Sequence, residues 1–168
     1  MRVKLTEQEQ RIRYELCPAR KTYDILEEYW TPNLMFVQKS NFKSKVVNTD
    51  INGLRYNDTK YKKKNSIFFN LSKKNNLLIG SSVVFGIGAS SDKKTISSLL
   101  STKGEMYLNL GNRAFNQFQE IIFFLTTFIK IKKINKIVIF SGLNDIFLFN
   151  NRYIRNEFPG PIYWNNQF

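Results

Sequence analysis

Short apolar runs alternate with helical segments through the second half of this 168-residue chain. Runs at residues 77–79, 106–110 and 136–140 predict β-strands, and residues 95–100 and 114–131 between them predict helices. The pitch of about thirty residues is that of βαβ units, in which helices cover both faces of a parallel sheet. No polar residue interrupts the last run, which predicts a strand covered on both faces. The pattern therefore predicts an α/β fold.

The N-terminal part of the chain lacks this alternation. Residues 1–65 predict an irregular extension to an α/β domain that occupies residues 66–168. Within the extension, residues 5–16 predict a helix with a threonine cap, and residues 23–30 predict a second helix. A further short apolar run, at residues 67–69, begins the domain.

Histidine is absent from the sequence, and cysteine occurs once, at Cys17. The lack of histidine excludes a Ser-His-Asp triad completed within this chain, histidine-ligated metals and an imidazole general base. A single cysteine cannot form an internal disulfide, and we interpret Cys17 as structural. The sequence predicts no metal and no cofactor.

No targeting or membrane signal is visible in the sequence. The first ten residues carry charges but lack the apolar core of a signal peptide. The most apolar run, residues 121–129, is too short to cross a bilayer, which requires about 20 residues. We expect a cytoplasmic protein without a membrane span.

The net charge of +13 raises the question of nucleic-acid binding. The excess is spread along the chain, with a net charge of +8 over residues 1–75 and +5 over residues 76–168. Only residues 60–64 form a basic cluster, whereas a phosphate-binding stripe is more concentrated and carries interleaved aromatic residues. We interpret the charge as a solvated basic surface, and nucleic-acid binding stays an alternative.

Small and polar residues follow each of the three predicted strands. They are Ser81-Ser82, Gly111-Asn112, and Gly142 to Asp145 with Asn144 between them. If the sheet is parallel, all three strand ends meet at one edge, where ligands bind in such folds. A serine hydroxyl, glycine amides and an asparagine amide together predict attack on an acyl carbon and stabilisation of the oxyanion.

Three of these segments together resemble the SGNH (GDSL-like) hydrolase family. The resemblance lies in residues 80–86, 109–111 and 142–145, in the order and spacing of the family's serine, glycine and asparagine blocks. Further matches are found before and after the serine block, in the lead into the second helix, and in a pair within that helix: residues 48–55, 85–90, 110–116 and Gln119-Glu120. Residues 48–55 also contain an Asn-Gly turn signal between two short extended pieces. The resemblance covers residues 46–150.

The resemblance implies a role for each residue at the strand ends. Ser82 is the nucleophile, with Ser81 as the runner-up, and the oxyanion hole consists of the Ser82 N–H, the Gly111 N–H and the Asn144 side chain. Asp145 orders the loop that holds Asn144, and Asn116, in the lead into the second helix, supports the site. The implied fold is a flavodoxin-like three-layer sandwich with a parallel sheet, incomplete at the C-terminus.

The family's histidine block has no counterpart here. The function that the resemblance implies is therefore that of a serine esterase acting on an acyl ester, for example of a carbohydrate, but with impaired activity. Three alternatives stay open: a non-catalytic sugar- or anion-binding protein on the same fold, a nucleotide-binding domain suggested by Gly86-Ile-Gly88, and nucleic-acid binding. We also expect self-association through an uncovered sheet edge.

Overall fold

The computed structural model describes residues 5–59, 63–65, 75–102, 105–128 and 133–150. These segments form six helices and seven strands, and a 3₁₀ turn at Asp92–Lys94. The helices are α1 (Glu7–Leu16), α2 (Arg20–Ile25), α3 (Ser82–Phe85), α4 (Ile96–Leu100), α5 (Gln117–Phe128) and α6 (Leu143–Asn150). The strands are β1 (Glu28–Thr31), β2 (Met35–Gln38), β3 (Asn57–Asp58), β4 (Lys63–Asn65), β5 (Asn75–Gly80), β6 (Tyr107–Gly111) and β7 (Ile134–Phe140).

A three-stranded parallel sheet lies at the centre of the fold, in the order β6-β5-β7. The predicted α/β class and parallel sheet are thus confirmed. The chain moves from β5 to β6 on one side and then returns past β5 to β7. Because parallel crossovers are right-handed, this reversal sends the two connections to opposite faces of the sheet. Ligands in such sheets bind outside the carboxyl ends of the strands, at the point where the direction of the connections reverses, which here is between β5 and β7.

Alternating side chains of β5 and β6 contact different helices. Leu77, Ile79, Leu108 and Leu110 pack with Phe123 of α5 in the main apolar cluster. The opposite face of β6 contacts α3 and α4, since Asn109 Nδ2 donates to the Val84 carbonyl at 2.8 Å and to Ser97 Oγ at 3.1 Å. Helices therefore pack on both faces of these two strands.

Residues of the predicted N-terminal extension enter the same core. Leu34, Phe36 and Leu54 belong to the main apolar cluster with β5 and β6. Phe36 makes an edge-on contact with Phe115, with ring centroids 5.8 Å apart. The central sheet is thus packed against residues that lie about twenty to forty positions before β5 in sequence.

Local predictions in the extension have mixed outcomes. The N-terminal helix is confirmed: Thr6 caps α1 through a reciprocal pair of hydrogen bonds with Glu9. The second predicted helix, residues 23–30, is wrong, because α2 ends at Ile25 and Glu28–Thr31 pairs with Met35–Gln38 in an antiparallel hairpin. The cause is the β-forming run Tyr-Trp-Thr before the proline, which favours an extended strand over a helix.

Of two further predictions, the turn within residues 46–56 is confirmed and the two-sided covering of the last strand is not. The two extended pieces are confirmed by the bridge between Thr49 and Arg55, with Gly53 at φ 77° in the turn. The expectation that the last strand is covered on both faces is wrong within the described residues. There β7 is an edge strand, and the side chains of residues 137–140 keep between 39% and 64% of their surface exposed.

Two elements predicted from the sequence fall partly or wholly outside the described residues. The apolar run at residues 67–69 and the end of the predicted helix at residues 129–131 lie outside the described residues. Over the described segments, no helix has the length and apolar character needed to span a bilayer.

Candidate functional site at the strand ends

The carboxyl ends of the three parallel strands lie side by side. Gly80 of β5 pairs in register with Gly111 of β6 on one side and with Phe140 of β7 on the other. The next residues along the three strands are Ser81, Asn112 and Ser141. The three predicted segments therefore meet at a single edge of the sheet.

Both candidate serines lie at the transition from β5 to α3. Ser81 precedes the helix and is buried, and Ser82 is its first residue and half-buried. Gly86 closes the short helix with φ 92°, a left-handed conformation that suits glycine. Within the described chain, neither serine hydroxyl has a hydrogen-bond partner. Ser82 therefore lies at the sheet edge with a hydroxyl that forms no hydrogen bond to the described residues.

Gly111 is required for close packing, and its amide is already used. A Cβ atom at this position would lie 2.2 Å from the Phe85 nitrogen, so only glycine lets β6 approach α3. The Gly111 N–H donates to the Asn109 side-chain oxygen at 2.9 Å. The amide predicted for the oxyanion hole is thus engaged within the protein in this conformation.

Hydrogen bonds connect the segment at the start of α6, which follows β7, to the start of α5. Asn144 Nδ2 donates to the Phe115 carbonyl at 2.6 Å, and the Asp145 carboxylate accepts the Gln117 N–H at 3.0 and 3.1 Å. Asn116 caps α5, because its side-chain oxygen accepts the Gln119 N–H at 2.9 Å. These bonds give Asp145 and Asn116 ordering roles, and they use one of the two Asn144 side-chain N–H groups.

Glu120 is a buried carboxyl beside this loop. Its side chain is 2% exposed, and burial raises its pKa from 4.5 to about 7. The nearby Asp145 charge adds to this rise, while the neighbouring Ser141 hydroxyl lowers the pKa. Ser141 does not reach hydrogen-bonding geometry, and in the described chain Glu120 Oε2 and Ser141 Oγ both lack a partner. A glutamate on the apolar face of a helix was the sequence signal for this group.

The turn after Ser82 is held by a buried ion pair from the N-terminal segment. Arg55 Nη1 donates to the carbonyls of Phe85 at 3.0 Å and Gly86 at 2.8 Å, and Arg55 Nε donates to Asp92 Oδ1 at 2.9 Å. The Tyr23 hydroxyl lies 2.7 Å from the Gly86 carbonyl. Burial raises the pKa of the Asp92 carboxyl, and donors from Asn48 and Arg55 offset part of that rise. The residue types alone did not reveal this pair.

The arrangement supplies a hydroxyl and amide donors at one edge, but no imidazole to accept the serine proton. Over the described part of the chain, no three carboxylate or thiol side chains converge as ligands for a metal ion. Comparison with known protein families and with characterised proteins found no matching family and no similar protein. The geometry of this edge is therefore the basis for assigning a function.

Proposed function

We propose that the chain is an SGNH-type, esterase-like protein that binds an acyl ester, such as an acetylated carbohydrate, at the edge formed by β5, β6 and β7. The observation that carries the proposal is the register of Gly80 with Gly111 and Phe140, which brings the three motif segments together. Ser82 is the proposed nucleophile, with Ser81 as its runner-up. The proposed architecture is the family's three-layer sandwich, and the single cysteine fits a cytoplasmic protein.

Turnover in this proposal is slow, because the 168 residues contain no histidine to activate Ser82. Serine hydrolases that lose triad members lose several orders of magnitude in rate, while donors at the oxyanion site retain part of it. The protein would thus bind and position an ester better than it hydrolyses one.

The test combines hydrolysis with covalent labelling. Hydrolysis of p-nitrophenyl acetate is expected to stay close to the buffer rate and to be unchanged in Ser82→Ala. A fluorophosphonate, which needs no deacylation step, is expected to label one site slowly, identified by peptide mass spectrometry as Ser82. The matched controls are Ser81→Ala and Ser90→Ala, the latter at an exposed serine in the segment that follows α3.

Two results would contradict this proposal in different ways. Fast hydrolysis that disappears in Ser82→Ala would show that the site is fully active. Labelling that is absent, or that is equal in wild type and Ser82→Ala, would remove Ser82 as the nucleophile.

A non-catalytic sugar- or anion-binding protein is the second candidate. It is favoured by the internal hydrogen bonds of the Gly111 N–H and the Asn144 side chain, which leave the catalytic donors partly occupied. An acetylated sugar would then raise the melting temperature without being hydrolysed, and Ser82→Ala would keep that stabilisation.

A further inference from the structure

The side-chain amide of Asn112 lies beside Gly111 at the same edge of the sheet. Asn112 directly follows β6, and its backbone N–H donates to the Gly80 carbonyl at 3.2 Å. This bond continues the pairing of β6 with β5 by one residue and places Asn112 next to Ser81. The side chain is 3% exposed. Asn112 therefore lies at the carboxyl edge of the sheet, outside which ligands bind in such folds.

The orientation of the Asn112 amide is fixed by two donors. Its Oδ1 atom accepts the Arg113 backbone N–H at 2.9 Å and Gln38 Nε2 at 2.9 Å. A backbone N–H can only donate, so the atom facing it must be the oxygen. In the described chain the Nδ2 group has no hydrogen-bond partner, and it is not completely shielded from solvent. Two N–H donors thus remain available.

Gln38 supplies the second of these bonds from a distant part of the sequence. It is the last residue of β2, its side chain is 0% exposed, and its Oε1 atom has no partner in the described chain. Gly53 packs on its backbone so closely that a Cβ there would lie 2.2 Å from the Gln38 carbonyl oxygen. Within the described chain, the only hydrogen bond of the buried Gln38 side chain is therefore the one that orients Asn112.

We propose that the Asn112 side chain donates a hydrogen bond to an oxygen of the bound ligand, and that Gln38 is its positioning residue. The ligand group is one that only accepts hydrogen bonds: the carbonyl oxygen of an ester or the carboxylate of the released acid. This inference rests on the proposed function, since it assigns a donor to the same edge. It replaces the engaged Gly111 N–H with a donor that the fold leaves free.

The experiment observes the Asn112 side-chain amide directly by nuclear magnetic resonance. In ¹⁵N-labelled protein, Asn112→Asp removes one NH₂ pair from the spectrum and so assigns it. Titration with sodium acetate is expected to shift that pair, in wild type and in Ser82→Ala alike, because binding does not need the nucleophile. Asn112→Asp, which replaces the donors by a carboxylate, is expected to weaken acetate binding at least about tenfold.

Gln38 is tested with two variants and one control. Gln38→Leu and Gln38→Met remove the donor to Asn112, and each is expected to weaken acetate binding several-fold while the dispersion of the remaining spectrum is kept. Gln10→Leu, on the exposed face of α1, is expected to leave binding unchanged. Two variants are used so that a folding defect in one does not decide the result.

The proposal is overturned if acetate leaves the Asn112 pair unmoved, or if both Gln38 variants bind acetate as well as wild type. An acetate-induced shift without fluorophosphonate labelling of Ser82 would refute the nucleophile and keep the donor. Labelling of Ser82 with an unmoved Asn112 pair would do the reverse. The two proposals thus fail in distinguishable ways.

Discussion

The two strands that flank β5 differ in the contacts that hold them in place: β6 is covered by other parts of the chain, whereas much of β7 is exposed. On the β6 side, the N-terminal segment contributes Gln38, which binds Asn112, and Asn57, which binds the Tyr107 carbonyl. On the β7 side, the apolar side chains of residues 137–140 are exposed, and the loop that follows is held through hydrogen bonds to the start of α5. The comparison shows that the Ser82 half of the edge is fixed by core packing, whereas the Asn144 half depends on a few polar contacts.

The largest effect expected from this comparison is at Arg55. Arg55→Met would leave the Asp92 carboxyl buried without its cation and would free the carbonyls of the turn after Ser82. Breaking a buried pair in this way costs about 3 to 5 kcal/mol, measured as a lower free energy of unfolding in urea. Arg11→Met is the matched control, because the exposed Arg11–Glu15 pair contributes about 0.5 kcal/mol or less. A cost below about 1 kcal/mol for Arg55→Met would show that packing, not the ion pair, holds the turn.

A pair of isoleucines compares the two strands directly. Ile79 of β5 and Ile139 of β7 are register partners in adjacent strands, yet Ile79 is 4% exposed and Ile139 is 64% exposed. Ile79→Ala is expected to lower the free energy of unfolding by about 2 to 5 kcal/mol. Ile139→Ala is expected to cost less than about 1 kcal/mol, because little apolar surface is lost from the core. Equal costs would mean that β7 is covered in solution, and the contrast between the strands would then be wrong.

The same contrast separates what the sequence predicts from what it does not. The spacing of apolar residues was sufficient to predict β5, β6 and α5, because the apolar pattern of each matches the geometry of a strand or a helix. The environment of β7 was not predictable, since an uninterrupted apolar run has the same pattern in a central strand and in an edge strand. The hairpin of β1 and β2 was missed because pairing partners decide short segments more than propensity does.

For the candidate site, too, one part could be predicted from the sequence and another could not. Ser81, Ser82, Gly111 and Asn144 could be brought to one edge by reasoning from strand ends alone, because parallel strands end on the same side. Their hydrogen-bond state could not, since it depends on acceptors that the tertiary structure brings near them: the Asn109 side-chain oxygen for Gly111 and the Phe115 backbone carbonyl for Asn144. Gln38 and Arg55 reach the site from residues far away in sequence, and no local pattern indicates such a contact.

Glu120 provides the smallest predicted effect and tests the β7 side of the comparison through pH. Its pKa is about 7 in the folded protein against 4.5 as the ordinary value, so the folded state binds the proton more strongly. Its contribution to stability is therefore complete below about pH 4.5 and is lost as the pH rises through about 7. Full linkage of this shift would give at most about 3 kcal/mol.

Glu120→Gln keeps the shape of the side chain and removes the titration. The difference in unfolding free energy between Glu120→Gln and wild type is expected to be small near pH 4.5 and to grow in favour of the variant up to about pH 8. Above pH 7 the ionised Glu120 also repels Asp145, which weakens the hold of the loop on the Gln117 N–H. Urea unfolding at both pH values measures the difference, with Glu15→Gln on the exposed face of α1 as the control. A difference that stays constant over this range would show that Glu120 titrates normally and that the loop beside it is insensitive to its charge.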